Sequence, residues 1–257
     1  RKVPPMSFAL STPLVRSETY SVAGPIAVGG SLRFADLELV ALEGADQAHL
    51  EITAAGSRAA DLLDSVTVEA DAYRLAIDVP VTWGILGPRA KLTLRLSVPT
   101  GSTIDLSTSS GNMSALGGYA VVKLHTGSGD LRLERSETAS LHTGSGDVQV
   151  GSSSLLSARS GSGEIRVDSA GSAELRAGSG SITVGHLSAG GDLHSGSGRL
   201  SVAHARGVVK LVTGSGGITI GSTDGQIHAK SGSGSVTVEN AMAGTLRLAS
   251  SSGRLRI

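Results

Sequence analysis

Nine times in the C-terminal part of this chain a repeated block sets a serine directly before its last glycine, and a serine nucleophile is the first chemistry such a motif raises. The block reads [Thr/Ser/Ala]-[Gly/Ser]-Ser-Gly-x-apolar. Its last glycine falls at Gly111, Gly129, Gly146, Gly163, Gly180, Gly198, Gly216, Gly234 and Gly253, 17 to 19 residues apart. Nucleophilic catalysis needs one serine set apart by a base and an oxyanion hole. Nine equivalent serines, from Ser110 to Ser252, predict the opposite: a stacked hydroxyl ladder satisfying backbone groups at a tight corner. No catalytic residue is assigned.

Four residues before the same glycine runs a second column, His125, His142, Arg159, Arg176, His194, Val212 and Lys230. One residue after the glycine come Asp130, Asp147 and Glu164. A basic stripe of this kind could read an anionic polymer such as a phosphate-bearing or uronic glycan. The plainer reading is a solvated face whose neighbouring opposite charges relieve like-charge stacking, and exposed pairs of that sort are individually weak. His125 and His142 would lie close in stacked coils, but no third ligand type accompanies them, so no metal is assigned.

Other chemistries lack their residues. There is no cysteine, hence no disulfide, thiolate or cysteine-based metal site. Calcium-binding nonapeptide repeats need Gly-Gly-x-Gly-x-Asp twice per coil, whereas here Gly-Ser-Gly comes once and an acid follows in three coils. The outward file of Thr183, Thr219 and Thr237 is broken by Arg132, Gln149, Arg166, Ser201 and Arg256, which spoils a flat threonine rank. The acids are too scattered for a glycosidase pair, and the Gly-Ser-Gly corners lack the lysine and helix of a phosphate loop. No cofactor is assigned.

The elements that must carry these columns follow from the same register. Two after the reference glycine stand residues such as Leu131, Val148, Ile165 and Ile182; four after it, Leu133, Val150, Val167 and Val184; five before it, Leu124, Leu141, Ala158 and Leu175. Each coil therefore alternates apolar and polar residues on both sides of a Ser/Gly corner, the period of two that marks a strand. A second corner recurs at Gly117, Gly171, Gly190, Gly207, Gly225 and Gly244. A fixed period this short predicts an all-β, parallel β-solenoid (β-helix) of 17–19-residue coils, each burying its apolar face only against its neighbours. At ~4.8 Å per coil the array is a rod on the order of 40 Å long.

The composition agrees. The chain has 257 residues, 36 of them Gly, and only 2% aromatic residues, too few rings for a conventional core of that size. Glycine corners and a core one or two aliphatic side chains thick account for both. The formal net charge is zero, which speaks against a nucleic-acid partner.

Residues 1–104 form a separate region, read as an irregular N-terminal β cap with degenerate opening coils, and 105–257 as the regular solenoid. Strand-like alternations occur at Ser31–Phe34, Asp36–Val40, His49–Thr53, Ser65–Glu69, Tyr73–Val79 and Lys91–Val98, and no window carries a helical stripe of useful length. Trp83, in a Gly- and Pro-rich stretch, is expected to pack over the open end of the core.

The run Leu94-Arg95-Leu96-Ser97-Val98-Pro99-Thr100-Gly101-Ser102, followed by Ser109-Ser110-Gly111-Asn112 and the later Thr-Gly-Ser-Gly-Asp copies, resembles a bacterial putative adhesin family of β-strand-repeat proteins. The resemblance covers most of the chain. It implies a β-solenoid without known catalytic residues.

The sequence thus predicts a non-enzymatic structural or interaction protein, with glycan or anion binding through the basic column as the alternative. Its expected partners are itself and a cell-envelope glycan or protein. Arg254, Leu255 and Ile257, in the last partial coil, are the candidate association end, giving a closed dimer or a filament. No stretch approaches a membrane span. The cytoplasm is the default location, and the cell surface or envelope the location if a leader precedes Met6.

Overall fold

The computed structural model describes residues 13–56, 58–80 and 91–257; Trp83 lies outside them. The chain is a parallel β-solenoid of about nine turns, with coils of about 18 residues.

The regular array begins at β9. Numbering the strands in chain order, its members are β9 (Met113–Ser128), β10 (Leu131–Thr143), β11 (Val148–Ser160), β12 (Ile165–Ala177), β13 (Ile182–Ser195), β14 (Leu200–Thr213), β15 (Ile218–Ser231), β16 (Val236–Ser250) and the short β17 (Leu255–Arg256). Each bends through corners and accounts for most of one coil. Each from β9 to β16 pairs in parallel with the coil before and after it, so that Leu131, Val148, Ile165, Ile182, Leu200, Ile218 and Val236 fall in one file. Every member of that file is buried, as are Leu124, Leu141, Ala158, Leu175, Leu193, Leu211 and Ala229 in the file that faces it. Like stacks on like because the sequence period equals the coil, and the backbone amides and carbonyls of one coil are satisfied by its neighbours.

Glycine at the Ser-Gly corner is required by proximity. A Cβ built at Gly146 would overlap the carbonyl oxygen of Gly129 in the preceding coil, and the same collision recurs from Gly163 onto Gly146 and from Gly198 onto Gly180. The opposite corner uses glycine differently. Gly190 and Gly207 have φ of +115° and +74°, a region other residues seldom occupy.

The N-terminal part contains β1 (Leu14–Ser21), β2 (Ala27–Arg33), β3 (Asp36–Leu42), β4 (Gln47–Ala55), α1 (Ala59–Ser65), β5 (Thr67–Ala70), β6 (Arg74–Asp78), β7 (Lys91–Pro99) and β8 (Thr103–Ser110). Its spatial order is not its chain order. The β2–β3 turn is clamped between two others: β2 pairs in parallel with both β6 and β8, and β3 with both β7 and β9. The chain steps over a whole coil between β7 and β8, at Thr100-Gly101, where Gly101 has φ of +84°. Antiparallel pairings of β4 with β7, β1 with β4 and β5 with β6 close this end.

One expectation is corrected here: the region contains a helix. Ala59, Leu62 and Leu63 of α1 are buried, an i, i+3, i+4 stripe packed on the solenoid end. Position 104 falls within β8, and one continuous hydrophobic core runs from Ile26 to Val238.

Candidate interaction surfaces

The hydroxyl ladder exists, but two residues earlier than the sequence places it. Ser128, Ser145, Ser162, Ser179 and Ser197 are exposed. The buried column is the first residue of the motif: Thr126, Thr143, Ser160, Ser195, Thr213 and Ser231. Thr143 Oγ1 accepts the amide N–H of Gly146 in its own coil at 3.0 Å and donates to the carbonyl of Gly129 below at 2.9 Å. Ser160, Thr213 and Ser231 repeat the arrangement. These hydroxyls are internal staples and cannot meet a substrate.

The basic column is in register as expected. His125, His142, Arg159, Arg176, His194, Val212 and Lys230 pair successively across β9 to β15. The imidazoles of His125 and His142 stack with centroids 4.8 Å apart and planes 18° from parallel. Burial, with the neighbouring His125 and Arg159 charges, holds His142 below the ordinary imidazole value. Arg159 and Arg176 converge on one carboxylate, Glu174, at 3.2 and 3.0 Å.

The acidic column across the corner does not neutralise them. Asp130 Oδ1 accepts the amide of Asp147, and Asp147 Oδ1 that of Glu164, at 2.9 and 2.7 Å; Asn112 does the same for Asp130. Glu164 instead meets Arg166, at 3.0 Å. These carboxylates brace successive corners, because at one coil's rise an acceptor reaches the next backbone N–H more directly than a cation across the turn.

A second histidine pair was not singled out from the sequence. His186 and His204 stack at 4.6 Å, and His204 Nδ1 lies 2.6 Å from Ser222 Oγ. The signal was present, since the two stand one coil period apart. Among the described residues no carboxylate orients this imidazole, and no group of three His, Cys, Asp or Glu could hold a metal ion.

These histidines border a groove along one corner. In successive coils Ser136, Ser153, Ala170, Leu187, Ala205 and Thr223 turn inward and are buried. The residues before them, Arg135, Ser152, Ser169, His186, His204 and Ser222, form one bank in register. The residues after them, from Glu137 to Asp224, form the other. A cavity of about 550 Å³ extends from Thr100 to Ser188, and one of about 290 Å³ from His186 to Met242; Ser188 lines both. Tyr119, inward at the head of this floor, donates its hydroxyl to the Leu116 carbonyl at 3.1 Å, and burial, with Glu134 nearby, pushes its pKa up.

At the far end β17 covers only Val236 and Thr237 of β16. Arg254, Leu255 and Ile257 are exposed there, Ile257 at 77%, and Met242 of β16 is exposed at 65%. Among the described residues no helix is long and apolar enough to cross a membrane.

The family model described as Toastrack DUF4097 matches residues 36–205 and again 154–257, which together span the solenoid. This chain belongs to the Toastrack DUF4097 family. Solved structures similar to this Toastrack chain include a putative adhesin from Parabacteroides merdae, 13% identical, with TM-score 0.53 over 94% of this chain and 95% of that one. A putative lipid binding protein from Parabacteroides distasonis is 13% identical, with TM-score 0.51 over 96% and 97%. A putative adhesin from Bacteroides fragilis is 12% identical, with TM-score 0.49 over 92% and 97%. No curated protein matches in sequence. At 13% identity the two Parabacteroides structures share the fold alone with this chain.

Proposed function

We propose that this Toastrack chain is a non-enzymatic interaction scaffold of the adhesin type that self-associates through its last coil. The observation that carries the reading is the uncovered edge of β16. Upstream coils have a partner on each side, whereas β16 beyond Thr237 is paired only with β15 among the described residues, and Met242, Leu255 and Ile257 stand exposed at this end. A free strand edge flanked by apolar side chains invites another strand.

The other end supports a closed pair over a filament. There β1 lies antiparallel on β4, and α1 buries Leu62 and Leu63, so an incoming coil finds no matching parallel edge. Joining C-terminal coil to C-terminal coil is an isologous contact that closes at two copies. Sedimentation at rising concentration is expected to show a dimer, and Met242→Arg with Leu255→Asp a monomer. A monomer for the unaltered chain at high concentration overturns the proposal.

A second reading has its own support. Glu174 is shared by two arginines, and Lys230 has no ion-pair partner among the described residues, so the column keeps cationic excess for an envelope anion or glycan. Charge reversal at Arg159 and Arg176 is expected to weaken polyanion binding; unchanged binding rules the column out.

A further inference from the structure

The corner groove is a different surface from both of these, on another face of the coil. At its N-terminal head lies Arg135. Its Nε sits 3.4 Å from where a Cβ of residue 118 would be, and Thr100 Cγ2 closes the same point at 3.5 Å, so Gly118 provides the recess in which the guanidinium rests. No carboxylate or carbonyl among the described residues takes its N–H groups. A planar guanidinium with open donors in a recess is suited to bidentate capture of an oxyanion.

Beyond Arg135 the same bank presents Ser152 and then Ser169, one hydroxyl per coil at ~4.8 Å intervals. The opposite bank runs Glu137, Ser154, Gly171 and Ser188, with Glu137 in the coil of Arg135 but making no ion pair with it. The floor here, Ser153 and Ala170, holds small buried residues and makes no deep apolar pocket for a side-chain anchor. Along this stretch each coil's backbone is paired on both sides, which leaves no edge for a peptide to join as a strand. A peptide therefore finds neither of its usual holds. A linear chain bearing hydroxyls at regular intervals and a carboxylate finds both of the groups offered.

We propose that this corner groove binds an acidic linear glycan, with Arg135 on a uronate carboxylate and the serine banks on ring hydroxyls. Among the described residues this stretch exposes no sugar-stacking ring, Tyr119 at its head being buried, so a single stretch of glycan is held weakly and a long chain gains by engaging several copies.

The test titrates short oligogalacturonates and hyaluronan oligosaccharides into the intact chain, with neutral maltooligosaccharides and poly-glutamate as controls. The acidic sugars are expected to bind and the neutral ones to bind at least tenfold more weakly. Arg135→Ala is expected to lower acidic-sugar affinity at least tenfold, and Arg135→Lys to restore it only partly, because the fork is lost. Ser152→Asp weakens it by repulsion. All three variants keep the thermal transition of the parent, since the altered side chains are on the surface. The inference is overturned if neither acidic sugar binds at millimolar concentration or if Arg135→Ala has no effect. It is equally overturned if only the Arg159 and Arg176 reversal abolishes binding, or if poly-glutamate binds as well with the same dependence on Arg135.

Discussion

Ser195 Oγ accepts the amide N–H of Gly198 at 2.9 Å inside a fully buried corner. Its own proton goes to the Gly180 carbonyl one coil below, also at 2.9 Å. One side chain thus ties two coils, and the buried column repeats the tie from Thr126 to Ser231 with a single interruption, Ala177. Ala177 lies in register between Ser160 and Ser195. Ala177→Ser is therefore expected to stabilise the chain by about 0.5–1.5 kcal/mol, the net value of a hydrogen bond, and Ser195→Ala to destabilise it by about 1–3 kcal/mol. Urea denaturation of both variants checks the pair; equal midpoints would show the column energetically silent.

Gly216 and Gly217 are adjacent and should respond oppositely to a methyl group. A Cβ at Gly216 would overlap the Gly198 carbonyl oxygen, while one at Gly217 meets nothing closer than the Ser235 carbonyl at 3.5 Å. Gly216→Ala must separate two coils and is expected to cost about 1–3 kcal/mol or more. Gly217→Ala is expected to stay within about 0.5 kcal/mol of the parent. Thermal melts of the two single variants decide it.

Much of the fold could be read in advance because the coil period and the sequence period coincide. The file from Leu131 to Val236 needed only the spacing of Gly to Gly. The hydroxyl ladder was misplaced because Thr143 and Ser145 share strand parity, and only the turn of the chain between them sends the first inward and the second out. Helix α1 spans seven residues, too few for a stripe to stand out, although Ala59, Leu62 and Leu63 had the spacing. The clamping of β2–β3 between β6–β7 and β8–β9 joins strands some 50 to 80 residues apart, and no local pattern encodes such pairings. The groove depends on which corner residue turns inward, and serine or alanine there gives no polarity signal.

His142 makes stability depend on pH. The fold holds its imidazole below the ordinary value, through burial first and then His125 and Arg159, so the unfolded chain binds the proton more readily. Stability is full above the ordinary histidine pKa and falls as pH drops below it toward the depressed folded value. The site is largely solvent-exposed, which keeps the effect within about 1 kcal/mol. Melting temperature is expected to fall between pH 7.5 and 5.5, and His142→Asn to reduce that slope. An unaltered slope would assign the pH dependence to other groups.

Glu174 controls how much cation the basic column shows. Its carboxylate meets Arg159 at 3.2 Å and Arg176 at 3.0 Å, and all three side chains are exposed by about half. Exposed pairs contribute little to folding, so Glu174→Gln is expected to move stability by less than about 0.5 kcal/mol. Its electrostatic effect is larger, because one substitution releases two guanidinium groups on adjacent coils. The variant is expected to elute from a sulfonated or heparin column at higher salt than the parent, and the shift to shrink when Arg159→Glu is added. Should Glu174→Gln elute with the parent, the arginines act in the column as solvated charges indifferent to their shared partner, and the anion reading of this face loses its support.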